Sequence, residues 1–330
     1  MQISVIDPIG RAFERMSLVL FKPFDFSKWL ILGFCAFLAG LGEGGGGGGM
    51  GNATNVFDSN KKSGSGGAFG GVVDWLSENF LLVVFIALGA LLLFAAINLL
   101  VQWLSSRGKF MFLEGVVRNR ATVSESWRSN AALGNSLFLF RFFLFVLGFA
   151  VTIVILLLCA LVALPDLRGN DFGGGAILAI LLLFVLLLPT VLIFAVVNFF
   201  LNEFVVPIMW LRNLYVMDAI AVFRREFLAP RLGALALFAL LWFGLTLASG
   251  SIVFLVTCVT CCIAGLPYVS AVVFLPLTVF FRSYSLCFIE QFGPEWRFFD
   301  RPENPTDPQA YAQAPDGIED LERRSQGGNS

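Results

Sequence analysis

Histidine is absent from all 330 residues of this chain. The absence removes the side chain most often used as general base or proton shuttle. It also removes every zinc pattern that needs imidazole, the helical H-E-x-x-H of metalloproteases among them. Charge is scarce as well: 14% of residues are charged, against about 25% in an ordinary soluble domain. The net charge is −1 and the basic residues are spread over several short loops, so the clustered basic surface needed for nucleic acid is missing.

No cysteine lies in a polar loop. Cys35, Cys159, Cys258, Cys261, Cys262 and Cys287 all fall within apolar stretches, where cysteine behaves as a small hydrophobe. A secreted disulfide framework is therefore not indicated. Cys258, Cys261 and Cys262 share one helical face, but no His, Asp or Glu lies near them in sequence. Helix packing is the better reading than a soft-metal site. Neither metal nor cofactor is expected. Lipid-modifying sites need His or paired acids, and the acids nearest the apolar stretches, Asp25, Glu43, Glu78, Asp166, Glu203 and Glu290, form no close pair in sequence. No catalytic residue can be named, and the chain is not expected to be an enzyme.

What is abundant is apolar length. Hydrophobic residues make up 58% of the chain, with 37 phenylalanines, too much apolar surface for a soluble protein of this size to hide. Phe80–Leu104 and Ala176–Leu201 each run about 25 residues, enough to cross a hydrocarbon core. The expected fold is all-α, a polytopic transmembrane helical bundle of six spans. These are Ser27–Gly42, Phe80–Leu104, Ser136–Leu164, Ala176–Leu201, Leu232–Ala264 and Tyr268–Leu286. The fifth is long enough to tilt or bend near Ser249-Gly250-Ser251. Pro189 and Pro276 lie inside spans, where neighbouring helices satisfy the freed carbonyls. Pro207 is expected to break the helix after the fourth span, and Leu266-Pro267-Tyr268 to turn the chain between the last two.

One membrane domain is expected over 1–299, with a flexible outer linker at Gly42–Gly71 that contains the unbroken run Gly44–Gly49. That run has no strand before it and no Lys-Ser/Thr after it, so it is not a phosphate cradle. A disordered cytoplasmic tail is expected over 300–330. Trp29–Leu41 has the length of a signal-peptide core but follows a long leader of other residues, and reads as a retained first span.

Lys and Arg set the orientation. They crowd the N-terminal flank (Arg11, Arg15, Lys22, Lys28) and the segment after the second span (Arg107, Lys109, Arg118, Arg120, Arg128). They recur after the fourth span (Arg212, Arg224, Arg225, Arg231) and in the tail (Arg297, Arg301, Arg323, Arg324). The alternate loops hold only Lys61, Lys62 and Arg168. The positive-inside rule then puts both termini in the cytoplasm.

A repeat is visible. Phe94-Ala95-Ala96-Ile97-Asn98 with Gln102 matches Phe194-Ala195-Val196-Val197-Asn198 with Asn202, and Phe281-Arg282 with Ser285 is a weaker echo. Acidic and basic residues flank an aromatic in each basic segment, at Phe13-Glu14-Arg15, Glu125-Ser126-Trp127-Arg128 and Phe223-Arg224-Arg225-Glu226. The expected unit is a cytoplasmic interfacial amphipathic helix, a span outward and a span back, used three times.

Polar residues inside spans are the place to look for function. Asn98 with Gln102, and Asn198 with Asn202, fall at i, i+4 on one helical face. Arg141 lies inside the third span, Glu203 closes the fourth, and Arg282 is near the end of the sixth. These seven are expected near the cytoplasmic side, and the favoured reading is that the amides bridge neighbouring helices while Arg snorkels to the interface. The alternative is a shared polar vestibule, with Glu203 pairing Arg141 or Arg282.

The chain also resembles a group of bacterial multi-pass membrane proteins of unknown function, distantly akin to the membrane-anchor domain fused to some glycerophosphodiester phosphodiesterases. The likeness is carried by Phe24–Trp29, Val117–Ala121, Gly134–Phe138, Asn202–Arg212, Cys258–Tyr268, Phe281-Arg282 and Gln291–Glu295. It implies a membrane scaffold and carries over no enzymatic residue, because the catalytic barrel of such fusions has no counterpart here. Two functions follow. The expected one is a non-enzymatic scaffold acting through membrane lipids, a second copy or a membrane-protein partner. The alternative is a transporter or channel with a cytoplasm-facing polar vestibule. A cavity reaching Asn98 and Asn198 favours the second, and a dry bundle the first.

Overall fold

The structure, a computed structural model, describes residues 4–41, 80–119, 123–169, 174–260 and 266–299. The glycine-rich linker, the tail, Cys261 and Cys262 lie outside the described residues. All regular structure among the described residues is helical. Three helical stretches, Ala131–Leu164, Ile177–Arg212 and Val216–Val259, are long and apolar enough to cross a membrane, and Phe26–Gly40 is a shorter apolar helix. The chain is a membrane protein.

In chain order the helices are α1 (Asp7–Phe21), α2 (Phe26–Gly40), α3 (Phe80–Arg118), α4 (Val123–Ser129), α5 (Ala131–Gly169) and α6 (Gly174–Phe200). After a π-helical turn at Leu201–Val205 come α7 (Val206–Arg212) and α8 (Val216–Val222). A second π turn at Phe223–Leu228 leads into α9 (Ala229–Val259), followed by α10 (Pro267–Val273) and α11 (Leu275–Ile289). The start of α2 is fixed by Asp25, whose carboxylate accepts from the Ser27 amide at 2.9 Å and the Lys28 amide at 3.4 Å. That satisfies donors a helix N-terminus otherwise leaves open.

Helices α3 and α5 each have 39 residues. At 1.5 Å per residue that is roughly 58 Å, about twice a hydrocarbon core. The continuous helix of α3 carries Gln102 and Lys109 through to Arg118 with no loop after Leu104.

Outward faces are oily: Phe184 on α6 is 71% exposed and Phe254 on α9 is 72% exposed, the side-chain type that faces lipid. The best-packed core lies at the end of the bundle where the basic segments sit. Phe204 is fully buried among Phe200, Phe223, Phe227, Phe238 and Phe288. At the other end of α5 and α6 the buried contacts reduce to Ile155, Cys159 and Ala179 among the described residues. Lipid tails are as apolar as leucine, so little drives spans together there. Where helices do meet closely they use small residues: a Cβ added to Gly108 of α3 would come within 2.7 Å of the backbone of Leu38 and Ala39 in α2.

One sequence expectation is corrected. Pro207 does not break the helix: the chain stays helical to Arg212 and turns at Asn213, whose φ is 50°. The π turn just before it, with the Val206 amide bonding to the Leu201 carbonyl, lets the missing proline amide be accommodated. The same device recurs where the Ala229 amide bonds to the Arg224 carbonyl just ahead of Pro230. The long α9 runs unbroken through Ser249–Ser251, and its non-helical residue is Arg231, with φ −146° and ψ 43°. Leu266 is extended and α10 starts at Pro267, as expected.

Candidate functional site

The basic segments converge. The Ser4 amide donates to Gln291 Oε1 at 2.9 Å and the Gln291 amide group returns a bond to the Ser4 carbonyl at 2.8 Å. Arg11 pairs with Glu290, Arg15 donates to the Val117 carbonyl at 2.6 Å, and Lys28 Nζ donates to Asn119 Oδ1 at 2.6 Å. Arg212 pairs with Glu295 at 2.8 Å and stacks 4.0 Å from the Trp296 ring. The N-terminal flank, the end of α3, the α7–α8 region and residues 290–299 therefore meet at one end of the bundle.

Just inside that end lies a cavity of about 1140 Å³. Six of the seven expected polar residues line it: Gln102, Arg141, Asn198, Asn202, Glu203 and Arg282. Asn98 is not among them; it is exposed, and its Nδ2 donates to the Phe94 carbonyl of its own helix at 2.8 Å. Asn202 is the hub. Its side-chain oxygen accepts from Lys109 Nζ and from Arg141 Nη2. Its backbone carbonyl accepts from Arg282 Nη1 at 3.0 Å. Lys109 is 1% exposed and Arg141 6%, so both cations are held in a medium where charge without partners is costly. The Glu203 carboxylate takes a hydrogen bond from Ser285. Helices α3, α5 and α11 thus each deliver a polar group to Asn202 or Glu203 on the π turn between α6 and α7, while Asn198 of α6 lines the cavity and bonds to its own helix.

Sequence reasoning missed Lys109 as a member of the site, because the second span was expected to end before it. A signal was present: Lys109 follows Gln102 by seven residues, two helical turns, and so shares its face. The π turn that aims Asn202 had no sequence signal beyond the nearby proline.

Above the cluster the cavity walls are apolar, formed by Phe145 and Phe149 of α5, Leu187 and Phe194 of α6, and Trp242 and Val253 of α9. Five hydroxyls also line them, but their protons stay inside their own helices. Thr152 donates to Gly148 at 2.8 Å, Thr190 to Leu186 at 2.7 Å, and Thr246 to Trp242 at 2.9 Å. Ser249 and Thr278 each donate to a carbonyl three residues back at 2.9 Å. Cys258 is exposed on α9, and no group of three His, Cys, Asp or Glu suited to a metal occurs among the described residues.

Residues 3–270 match the Family of unknown function (DUF7544), and the chain belongs to that family. No curated protein and no solved structure matches it.

Proposed function

We propose that this DUF7544 protein is a non-enzymatic multi-pass protein of the bacterial cytoplasmic membrane that admits a ligand to a polar-footed vestibule opening on its cytoplasmic end. The observation carrying this reading is the cavity of about 1140 Å³ that ends on Lys109, Arg141, Asn202, Glu203 and Arg282. A dry scaffold is the competing reading. It needs close-packed spans, and nothing in packing alone calls for buried cations at the foot of an open space. The cavity reaches Asn198 but not Asn98, so the buried cations at its foot, and not its full expected extent, make the transporter class the preferred one, with membrane lipids and a second copy or membrane partner as contacts of the oily outer faces.

In this reading the six spans are α2, α3, α5, α6, α9 and the pair α10–α11. Convergence of the basic segments at one end supports an even number of crossings, and the positive-inside rule makes that end cytoplasmic. Arg107, stacked 4.5 Å from Trp103 and 5.0 Å from Trp127, fits an interfacial anchor. The repeat has support from order and bonding. Short helices α1, α4 and α8 each precede an outgoing helix, α2, α5 and α9. The Asn98 and Asn198 side chains both donate to the phenylalanine carbonyl four residues back, and Ser285 Oγ lies 3.2 Å from that of Phe281. Kinship to the phosphodiesterase membrane-anchor domain belongs to the same proposal and rests on the motifs alone.

The test is water access. In a cysteine-free background carrying Asn198→Cys, a membrane-impermeant thiol reagent is expected to label the vestibule from the cytoplasmic side. Failure to label from either side, with Asp7→Cys labelled as control, supports the dry scaffold instead.

A further inference from the structure

The lining of the vestibule carries more than its openness. Among its described residues, Lys109, Arg141 and Arg282 face a single carboxylate, Glu203, an excess of two positive charges. Each cation already has hydrogen-bonding partners; the excess is one of net charge. At low dielectric such an excess favours an anion, and arginine's planar fork suits phosphate or carboxylate oxygens. The walls say what the anion is attached to. Their hydroxyl protons are spent on helix carbonyls, and apart from the indole N–H of Trp242, which has no partner among the described residues, the rest are phenyl and aliphatic groups that offer contact to hydrocarbon and few donors to a hydrated ion. From Arg141 to Thr152 along α5 the lining covers roughly 16 Å, about one leaflet of a 30 Å core.

We infer that the vestibule binds a single anionic lipid of the leaflet at the basic end, its headgroup on the part-exposed Arg282 in the positive field of the buried Lys109 and Arg141, and its acyl chains along α5, α6 and α9. This rests on the vestibule reading and names its ligand. The lipid enters sideways from the bilayer and presents its headgroup to the cytoplasmic end.

The experiment is native mass spectrometry of the full chain in neutral detergent with equimolar phosphatidylglycerol and phosphatidylcholine. Two variants are compared with the unaltered chain. Arg282→Gln removes a headgroup contact. Gly250→Leu fills the wall at a lining position where an added Cβ meets nothing within 4 Å, so the fold tolerates it. The unaltered protein is expected to retain one phosphatidylglycerol with about tenfold preference, the weight of one charged hydrogen bond. Arg282→Gln should bring the two lipids near parity, and Gly250→Leu should lose the bound lipid without a change in melting temperature.

Equal retention of both lipids by the unaltered chain overturns the inference, as does a preference that survives in either folded variant. Displacement of the lipid by inorganic phosphate also overturns it, assigning the site to a free anion. If Arg282→Gln does not fold, Gly250→Leu decides. Labelling of Asn198→Cys with no lipid preference leaves the vestibule standing and removes only its ligand; loss of both removes both.

Discussion

Arg282 donates from Nη1 to the backbone carbonyl of Asn202 at 3.0 Å, across 80 positions of sequence. That carbonyl is the one which, in the π register set by Val206 and Leu201, would accept from residue 207. Residue 207 is proline and has no amide to give. A backbone gap is thus filled by a side chain from the last helix, tying the foot of the vestibule to α11.

The first prediction follows from that substitution of partners. Pro207→Ala supplies the missing amide, so Arg282 becomes less necessary. In a double-mutant cycle, Arg282→Gln is expected to cost about 1.5–3 kcal/mol alone and measurably less when combined with Pro207→Ala. Thermal unfolding in detergent reads both; costs that simply add would reject the exchange.

Asn202 and Asn98 should behave differently although each was expected in the same cluster. Asn202→Leu removes an acceptor shared by buried Lys109 and Arg141 and is expected to destabilise by about 1.5–3 kcal/mol. Asn98→Leu, at a residue that is exposed and bonded to its own helix among the described residues, should change stability by less than about 0.5 kcal/mol. Equal effects in unfolding measurements would mean the hub is misassigned.

Close approach of α2 and α3 at Gly108 gives a third. Gly108→Ala forces a Cβ to within 2.7 Å of backbone and should destabilise by about 1–3 kcal/mol. Gly244→Ala, with open space around it, should be neutral or slightly stabilising through helix propensity. A stable Gly108→Ala protein would show that the two helices are not in contact there.

Glu290 supports the last described segment. One oxygen accepts from the Phe298 and Phe299 amides, both at 3.0 Å, while the other pairs with Arg11. Glu290→Ala is expected to raise hydrogen exchange at those two amides by about tenfold or more, the loss of one charged hydrogen bond. Unchanged exchange would contradict the assignment.

Much of this was legible in the chain. Apolar length named the helices, and the basic residues foretold which segments would meet. Polar residues at helical spacing located six of the cavity-lining side chains. The losses have physical causes. Hydropathy marks where oil ends and not where a helix ends, so Lys109 was placed in a loop although α3 continues past it. Pro207 has a local rule for breaking helices, but a π turn upstream absorbs it. Asn98 shares a face with Gln102, yet among the described residues no neighbouring helix covers that turn, a matter of packing rather than periodicity.

The account depends on all basic segments lying on one side of the membrane with the vestibule opening among them. Single cysteines at Asp7, Arg128, Arg224 and Glu295, each in a cysteine-free background, can be labelled in right-side-out and inside-out vesicles. All four are expected to react only in inside-out vesicles. Reaction of Arg128→Cys or Arg224→Cys from the outer side would contradict the account.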